Sequence, residues 1–235
     1  MPVAETVPVI AIDGPVGSGK GTVSHRVASA LGFALLDSGA LYRVLALAAR
    51  TRGVPLNGGP DLARLAEILD IEFAPGDAAN PVRTLLDGVD VTDDIRTEQC
   101  GDDASRVSAL PEVRDALLAR QHGFRRPPGL VADGRDMGSV VFPDAFVKVF
   151  LTATARARAE RRHKQLMAKG IDVSVARLSR EMAERDRRDR ERAVAPLKPA
   201  GDAVVVDTTG LDIDTVVARV LEIARSEMTA TSFRE

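Results

Sequence analysis

Val7-Pro8-Val9-Ile10-Ala11-Ile12-Asp13 runs without a break into Gly14-Pro15-Val16-Gly17-Ser18-Gly19-Lys20-Gly21-Thr22, and an amphipathic stretch, TVSHRVASAL, follows. An apolar strand, a glycine-rich turn ending in lysine, and a helix form the context that a phosphate loop needs. Glycines let consecutive backbone N–H groups converge on an anion with no Cβ in the way, and the helix adds the positive end of its dipole. Lys20 then reaches the β- and γ-phosphates as a point charge. Such a turn can be purely structural, but the full spacing favours a nucleoside triphosphate site. One position departs from the general motif: Gly21 follows the lysine, and the hydroxyl of Thr22 comes one residue later.

Beyond this loop the same rhythm repeats. FALLD at 33–37, LVAD at 130–133, VKVFL at 147–151 and AVVVD at 203–207 are short, nearly continuous apolar runs. That pattern suits strands of a parallel sheet buried on both faces. Helical patterns separate them, so the sequence predicts an α/β fold with a five-stranded core flanked by helices. Four of the five runs end in aspartate, at Asp13, Asp37, Asp133 and Asp207. Ligands of such sheets bind at the carboxyl ends of the strands. Between 57 and about 100 the rhythm breaks. NGGP at 57–60 is followed by a helix-like stretch from Asp61 to Asp70, then IEFA and RTLLDGVDVT, in which Asp87-Gly88 signals a hairpin. We expect a small α+β lobe inserted here. Further helices are expected at about 97–109, 111–126, 154–168, 173–193 and 212–228.

The composition, with 45% apolar and 28% charged residues in 235, is that of an ordinary globular protein. No apolar run suggests a membrane span, and the N-terminus shows no secretory pattern. Cys100 is the only cysteine, which excludes intramolecular disulfides and zinc sites built on several cysteines. These features lead us to expect a cytoplasmic protein. A formal net charge of −2 and 3% aromatic residues argue against a nucleic-acid partner. Of the 32 basic residues, 27 are arginine, whose planar fork suits phosphate and carboxylate. His25, His122 and His163 show no metal-ligand spacing and read as structural or exposed.

Three further segments join the Gly19-Lys20-Gly21-Thr22 signature: Asp37-Ser38-Gly39-Ala40-Leu41-Tyr42-Arg43, Asp133-Gly134-Arg135-Asp136-Met137-Gly138, and Arg185-Asp186-Arg187-Arg188-Asp189-Arg190. Together they closely resemble the bacterial cytidylate kinase family, from about residue 7 to 225. The resemblance implies a P-loop kinase: a core at 7–56, 105–153 and 173–228, a monophosphate-binding lobe inserted at 57–104, and a short lid at 154–172, with tails at 1–6 and 229–235. It implies transfer of the γ-phosphoryl group of ATP to CMP or dCMP with Mg²⁺, in pyrimidine nucleotide metabolism, by a monomer.

Site residues follow from the same resemblance. Gly14, Pro15, Val16, Gly17, Ser18, Gly19, Lys20, Gly21 and Thr22 would bind ATP. Arg43 and Arg135, each just beyond a strand end, would hold the CMP phosphate, with Ser38 nearby. Asp136 would accept from the cytosine amino group, which an ionised carboxylate welcomes while it repels the carbonyl of uracil. Ser105 and Arg114 match the other base-reading positions, and Arg96 matches an arginine near the monophosphate end. Arg185, Arg188, Asp189 and Arg192 share one helix face by spacing. The resemblance gives Arg185 and Asp189 to ribose or phosphate, Arg188 to the transferring group, and Arg192 to the base. It gives Arg158 and Arg162 to the ATP phosphates and leaves Arg156 on the surface. Asp133 either holds magnesium through water or caps a helix; the sequence leaves both open. The rival readings are a P-loop kinase for another small molecule, such as UMP, AMP or shikimate, and a non-catalytic nucleotide-binding regulator or nucleic-acid-associated ATPase.

Overall fold

The computed structural model describes residues 7–76 and 82–232. The expected tail at 1–6 and residues 233–235 of the expected C-terminal tail lie outside that range. The chain forms two compact units, residues 1–36 with 122–235, and residues 37–121.

The first unit is built on a five-stranded parallel sheet in the order β2-β6-β1-β7-β8. Its strands are β1 (Val9–Asp13), β2 (Ala34–Asp37), β6 (Leu130–Gly134), β7 (Val147–Thr152) and β8 (Val204–Asp207). β1 lies at the centre, parallel to β6 and β7, and all five of its residues are buried. This is why VIAID carries no alternation: both faces are covered. Helices α1 (Lys20–Leu31) and α8 (Ile213–Ser232) pack against each other and the sheet. Ile10, Ile12, Val23, Val27, Val149 and Val220 lie in their common core. α8 runs through Ser232, past the 228 that the sequence pattern suggests. α6 (Ala155–Ala168) and α7 (Val175–Glu191) form a helical pair, each started by a hydroxyl cap. Thr154 Oγ1 accepts from Ala157 N at 3.3 Å and Ser174 Oγ from Arg177 N at 3.2 Å.

The second unit contains α2 (Ser38–Thr51), α3 (Gly59–Ile68), the antiparallel strands β3 (Ile71–Pro75), β4 (Val82–Leu86) and β5 (Val89–Asp90), then α4 (Glu98–Val107) and α5 (Pro111–His122). The expected hairpin is present: Asp87 and Gly88, both at positive φ, join β4 to β5. This unit is wider than the lobe expected at 57–104, because α2 packs on α3 and α4. The apolar side chains that hold it, Leu41, Leu45, Leu62, Ile95 and Leu117 among them, are drawn from either side of the inserted stretch as well as from within it. No described helix is long and apolar enough to cross a membrane.

Candidate active site

Sheet register brings the strand ends of the first unit level. Asp13 pairs across to Gly134 on one side and Phe150 on the other, and Ile12 to Asp133. The loop 14–19 leaves β1 at this edge and turns into α1. Gly14 begins it at φ 154°, where a Cβ would lie 2.2 Å from Leu151 O, so a side chain here collides with β7. α1 starts at Gly19 with no side-chain cap. Gly19 has no side chain to cap this first turn, unlike Thr154 of α6 and Ser174 of α7, so its N–H groups suit an anion. Lys20 Nζ folds back on Pro15 O at 3.3 Å within the loop. Ser18 Oγ is buried and has no hydrogen-bond partner among the described residues.

Asp133 is 6% exposed, and its Oδ2 lies 3.4 Å from where a Cβ of Gly21 would be. The carboxylate thus borders the start of α1. The irregular helical turn Met137–Val141 begins after Asp136, whose own side chain makes no cap hydrogen bond. Among the described residues no group of three or more His, Cys, Asp or Glu could hold a metal ion.

Asp13, which the sequence offers only as a strand end, is a structural anchor of the site. Its carboxylate accepts from Met137 N at 2.8 Å and Gly138 N at 2.9 Å. Burial pushes its pKa up to about 6, against the lowering pull of those two N–H groups. Asp13 therefore fixes the turn that presents Arg135 and Asp136. Those two side chains then meet α7 and its C-terminal end in crossed pairs. Arg135 Nε donates to Asp189 Oδ2 at 3.1 Å, and Arg192 Nη2 to Asp136 Oδ1 at 3.4 Å. Asp136 and Asp189 are buried, and Arg192 also donates to Ala195 O at 2.5 Å. The face predicted from spacing is the inward face of α7: Asp189 is buried, Arg185 and Arg188 are partly so, and Arg187 and Arg190 are exposed.

The other predicted residues of the first unit divide. Arg162 is partly exposed, with Nη1 3.3 Å from Gln165 Oε1. Arg158, four residues earlier, is only 4% exposed. Its Nη1 donates to Val16 O at 2.9 Å, its Nε to Ala153 O at 3.1 Å and its Nη2 to Asp186 Oδ2 at 2.6 Å. The expectation that both reach ATP phosphates therefore meets two different surroundings, and Arg158 is engaged by protein on every side of its fork. Arg156 is exposed and pairs with Glu160 at 2.8 Å. His122 Nε2 lies 2.8 Å from Val141 O, a structural contact.

Asp186 is a second residue that sequence reasoning passes over, because it sits inside a run of charges. A signal was present: Leu178, Met182 and Asp186 follow one another at every fourth position, and all three are buried. Thr208 is a third. It is 1% exposed, receives Arg161 Nη1 at 2.9 Å, and its hydroxyl lies 3.2 Å from Ser18 O of the loop.

In the second unit, Asp37 caps α2 by accepting from Ala40 N at 3.0 Å, which leaves Ser38 buried in the first turn. Arg43 Nη1 donates to Ile95 O at 2.6 Å and Thr97 O at 3.3 Å, so α2 holds the turn that carries Arg96. Arg96 Nη2 lies 3.5 Å from Val82 O. Arg114 is 7% exposed, stacks 6.0 Å from the centre of the Tyr42 ring and reaches Ser108 O at 3.4 Å. Ser105 is buried on α4.

This geometry provides an anion-binding loop and, beside it in the first unit, a set of paired arginines and carboxylates. Comparison with known proteins gives the family. Residues 10–226 match the family described as cytidylate kinase. A cytidylate kinase of Pseudomonas fluorescens strain Pf-5 is 59% identical over 218 residues, 92% of this chain and 95% of its own length. One from Pseudomonas aeruginosa strain UCBPP-PA14 is 58% identical, covering 92% of this chain and 94% of its own. One from Shewanella baltica strain OS155 is 52% identical, covering 97% and 100%. The chain belongs to the cytidylate kinase family of phosphotransferases.

Proposed function

We propose that the chain transfers the γ-phosphoryl group of MgATP to CMP and dCMP, forming CDP or dCDP and ADP by in-line displacement. The observation that carries this reading is the crossed pairing of Arg135 with Asp189 and of Arg192 with Asp136, next to the loop 14–22. In this reading the pairing brings together the arginines that would hold phosphate and the carboxylate that would read the base.

Phosphoryl transfer asks little of side chains as bases; it asks for alignment of two polyanions and neutralisation of their charge. ATP lies with its phosphates against the backbone of 14–19, and Lys20 leaves Pro15 O for the β- and γ-phosphates. Asp133, a buried carboxylate beside Gly21, fits a magnesium ion held mostly by nucleotide phosphates and water. Such an ion would supply neutralisation of the phosphate charge. Arg162 screens the ATP phosphates from the lid, and Arg188 faces the transferring group.

CMP is held through its phosphate by Arg135 and Arg185, with Asp189 taking the ribose. Asp136 accepts a hydrogen bond from the 4-amino group of cytosine, and Arg192 orients Asp136. Uracil presents a carbonyl at that position, and two facing acceptors leave a buried polar group unsatisfied at a cost of about 1–3 kcal/mol. Ser38, Arg43, Arg96, Ser105 and Arg114 of the second unit are further CMP residues in this reading. The enzyme works as a monomer on free nucleotides in the cytoplasm. The decisive assay is ADP formation from MgATP with CMP, dCMP, UMP, AMP and dTMP supplied separately. Strong turnover with CMP and dCMP, little with UMP and none with AMP is expected. Turnover mainly with another acceptor, or hydrolysis indifferent to all five, would overturn the substrate assignment.

A further inference from the structure

We propose that Arg158 and Asp186 form a buried positioning pair that sets the phosphate loop against α7, and that neither side chain acts by touching ATP. The role belongs to the same reaction and rests on the reading of residues 14–22 as the ATP site.

One guanidinium ties three separate parts of the first unit. Its Nη1 meets Val16 O in the loop, its Nε meets Ala153 O just beyond β7, and its Nη2 meets Asp186 Oδ2 on α7, at 2.9, 3.1 and 2.6 Å. The side chains of Arg158 and Asp186 are 5% and 3% exposed. The planar fork presents donors in fixed directions, so these three acceptors hold one arrangement of loop, strand end and helix. Packing adds to the constraint. A Cβ placed on Gly17 would lie 2.8 Å from Met182 Cε and 3.0 Å from Arg158 Cβ, so the loop backbone rests directly on this pair of helices. Asp186 neighbours Arg185 and lies within one turn of Arg188 and Asp189 on the rigid α7. Fixing Asp186 to the loop therefore fixes the helix face that faces the transferring group.

A buried pair of this kind is weak evidence for stability, since desolvation offsets the attraction. Removing one partner leaves a charge with little compensation. Asp186 Oδ1 has no hydrogen-bond partner among the described residues, and Arg190 Nη2 lies 4.0 Å from Oδ2. The consequence of the pair is geometric: three acceptors on three elements are satisfied by one side chain.

Kinetics separate positioning from direct contact with ATP. If Arg158 clamps phosphate itself, Asp186→Asn releases it from its partner and MgATP binding survives. If it positions the loop, Asp186→Asn and Arg158→Met produce the same defect. The experiment measures KM for MgATP, kcat, direct CMP binding without ATP, and Tm for both variants and their combination. Calorimetric MgATP binding to the unaltered enzyme, without CMP, tests the ATP-site reading separately. Each single change is expected to raise KM for MgATP about 10-fold or more, since misplacement of about 1 Å costs up to about 100-fold. CMP binding should stay within about 3-fold, and the double variant should be no worse than the worse single one, as for residues acting as a unit. Retention of MgATP binding in Asp186→Asn but not Arg158→Met would overturn the proposal in favour of a clamp. Losses that multiply, or a parallel fall of ATP and CMP binding with Tm, would overturn it too. Where a variant does not fold, Arg158→Lys and Asp186→Glu carry the same test. Lysine keeps the charge but cannot span the three acceptors, so a folded Arg158→Lys with unaltered KM for MgATP sinks the idea.

Discussion

Replacing Asp13 by Asn tests whether a single buried carboxylate holds the turn that carries Arg135 and Asp136. Asp13 receives Met137 N and Gly138 N at 2.8 and 2.9 Å, one on each oxygen. An asparagine of the same shape keeps one acceptor and turns an amide N–H₂ toward the other donor. Leaving that donor unmatched costs about 1–3 kcal/mol. The opposing effect is electrostatic. Burial raises the pKa of Asp13 from 3.8 to about 6, so at neutral pH the fold holds its carboxylate at a cost of about 3 kcal/mol relative to the unfolded chain. Asparagine lacks this cost. Near pH 7 the two effects offset, and Asp13→Asn should change stability by less than about 2 kcal/mol. The sign with pH is fixed. Between the unfolded and folded pKa values the native state binds the extra proton, so the stability of the unaltered protein falls as pH rises through about 6 and levels off above it. Relative to Asp13→Asn, about 2 kcal/mol of that fall should appear between about pH 4.5 and pH 7. Urea unfolding of both proteins across this range measures it. Function should separate from stability: the turn shifts, and KM for CMP rises about 10-fold while MgATP binding changes little. A stability difference independent of pH, or an unaltered KM for CMP, is incompatible with this anchoring role.

Three other outcomes follow from the structure. Gly14→Ala places a methyl 2.2 Å from Leu151 O, so the loop must move; MgATP binding measured by calorimetry should weaken about 100-fold or more, and a loss under about 3-fold would contradict the geometry. Asp136→Asn should lower the preference for CMP over UMP in kcat/KM by about 10-fold or more, with KM for MgATP preserved; an unchanged ratio removes Asp136 from base reading. Asp103 is 1% exposed and accepts from Arg50 Nη1 at 2.6 Å and Gln99 Nε2 at 3.1 Å, so Asp103→Asn should destabilise the protein by about 1–3 kcal/mol in urea unfolding, and a change within about 0.5 kcal/mol would show the contacts to be dispensable.

The local signals were readable because their physics is local. A strand buried on both faces must be apolar throughout, so VIAID, LVAD and VKVFL announced a parallel sheet. A loop that approaches phosphate by its backbone must be rich in glycine, so 14–22 announced an anion site. Asp87-Gly88 announced its hairpin, because few residues tolerate two consecutive positive φ values. The helix face of Arg185, Arg188 and Asp189 was fixed by the 3.6-residue period, whereas Arg192 follows the last turn in extended backbone. What remained hidden depended on partners distant in sequence. Nothing near Asp13 shows that it will receive the N–H groups of Met137 and Gly138, 124 and 125 residues away. Arg158 and Arg162 share a spacing, yet Arg158 is buried against Val16 and Asp186 while Arg162 is partly exposed. Which residue types stand at the strand ends and on the helix faces is a property of the sequence. Which of those charges the protein satisfies, and which it leaves for a ligand, is settled only in the folded molecule, because burial and hydrogen bonding depend on neighbours in space.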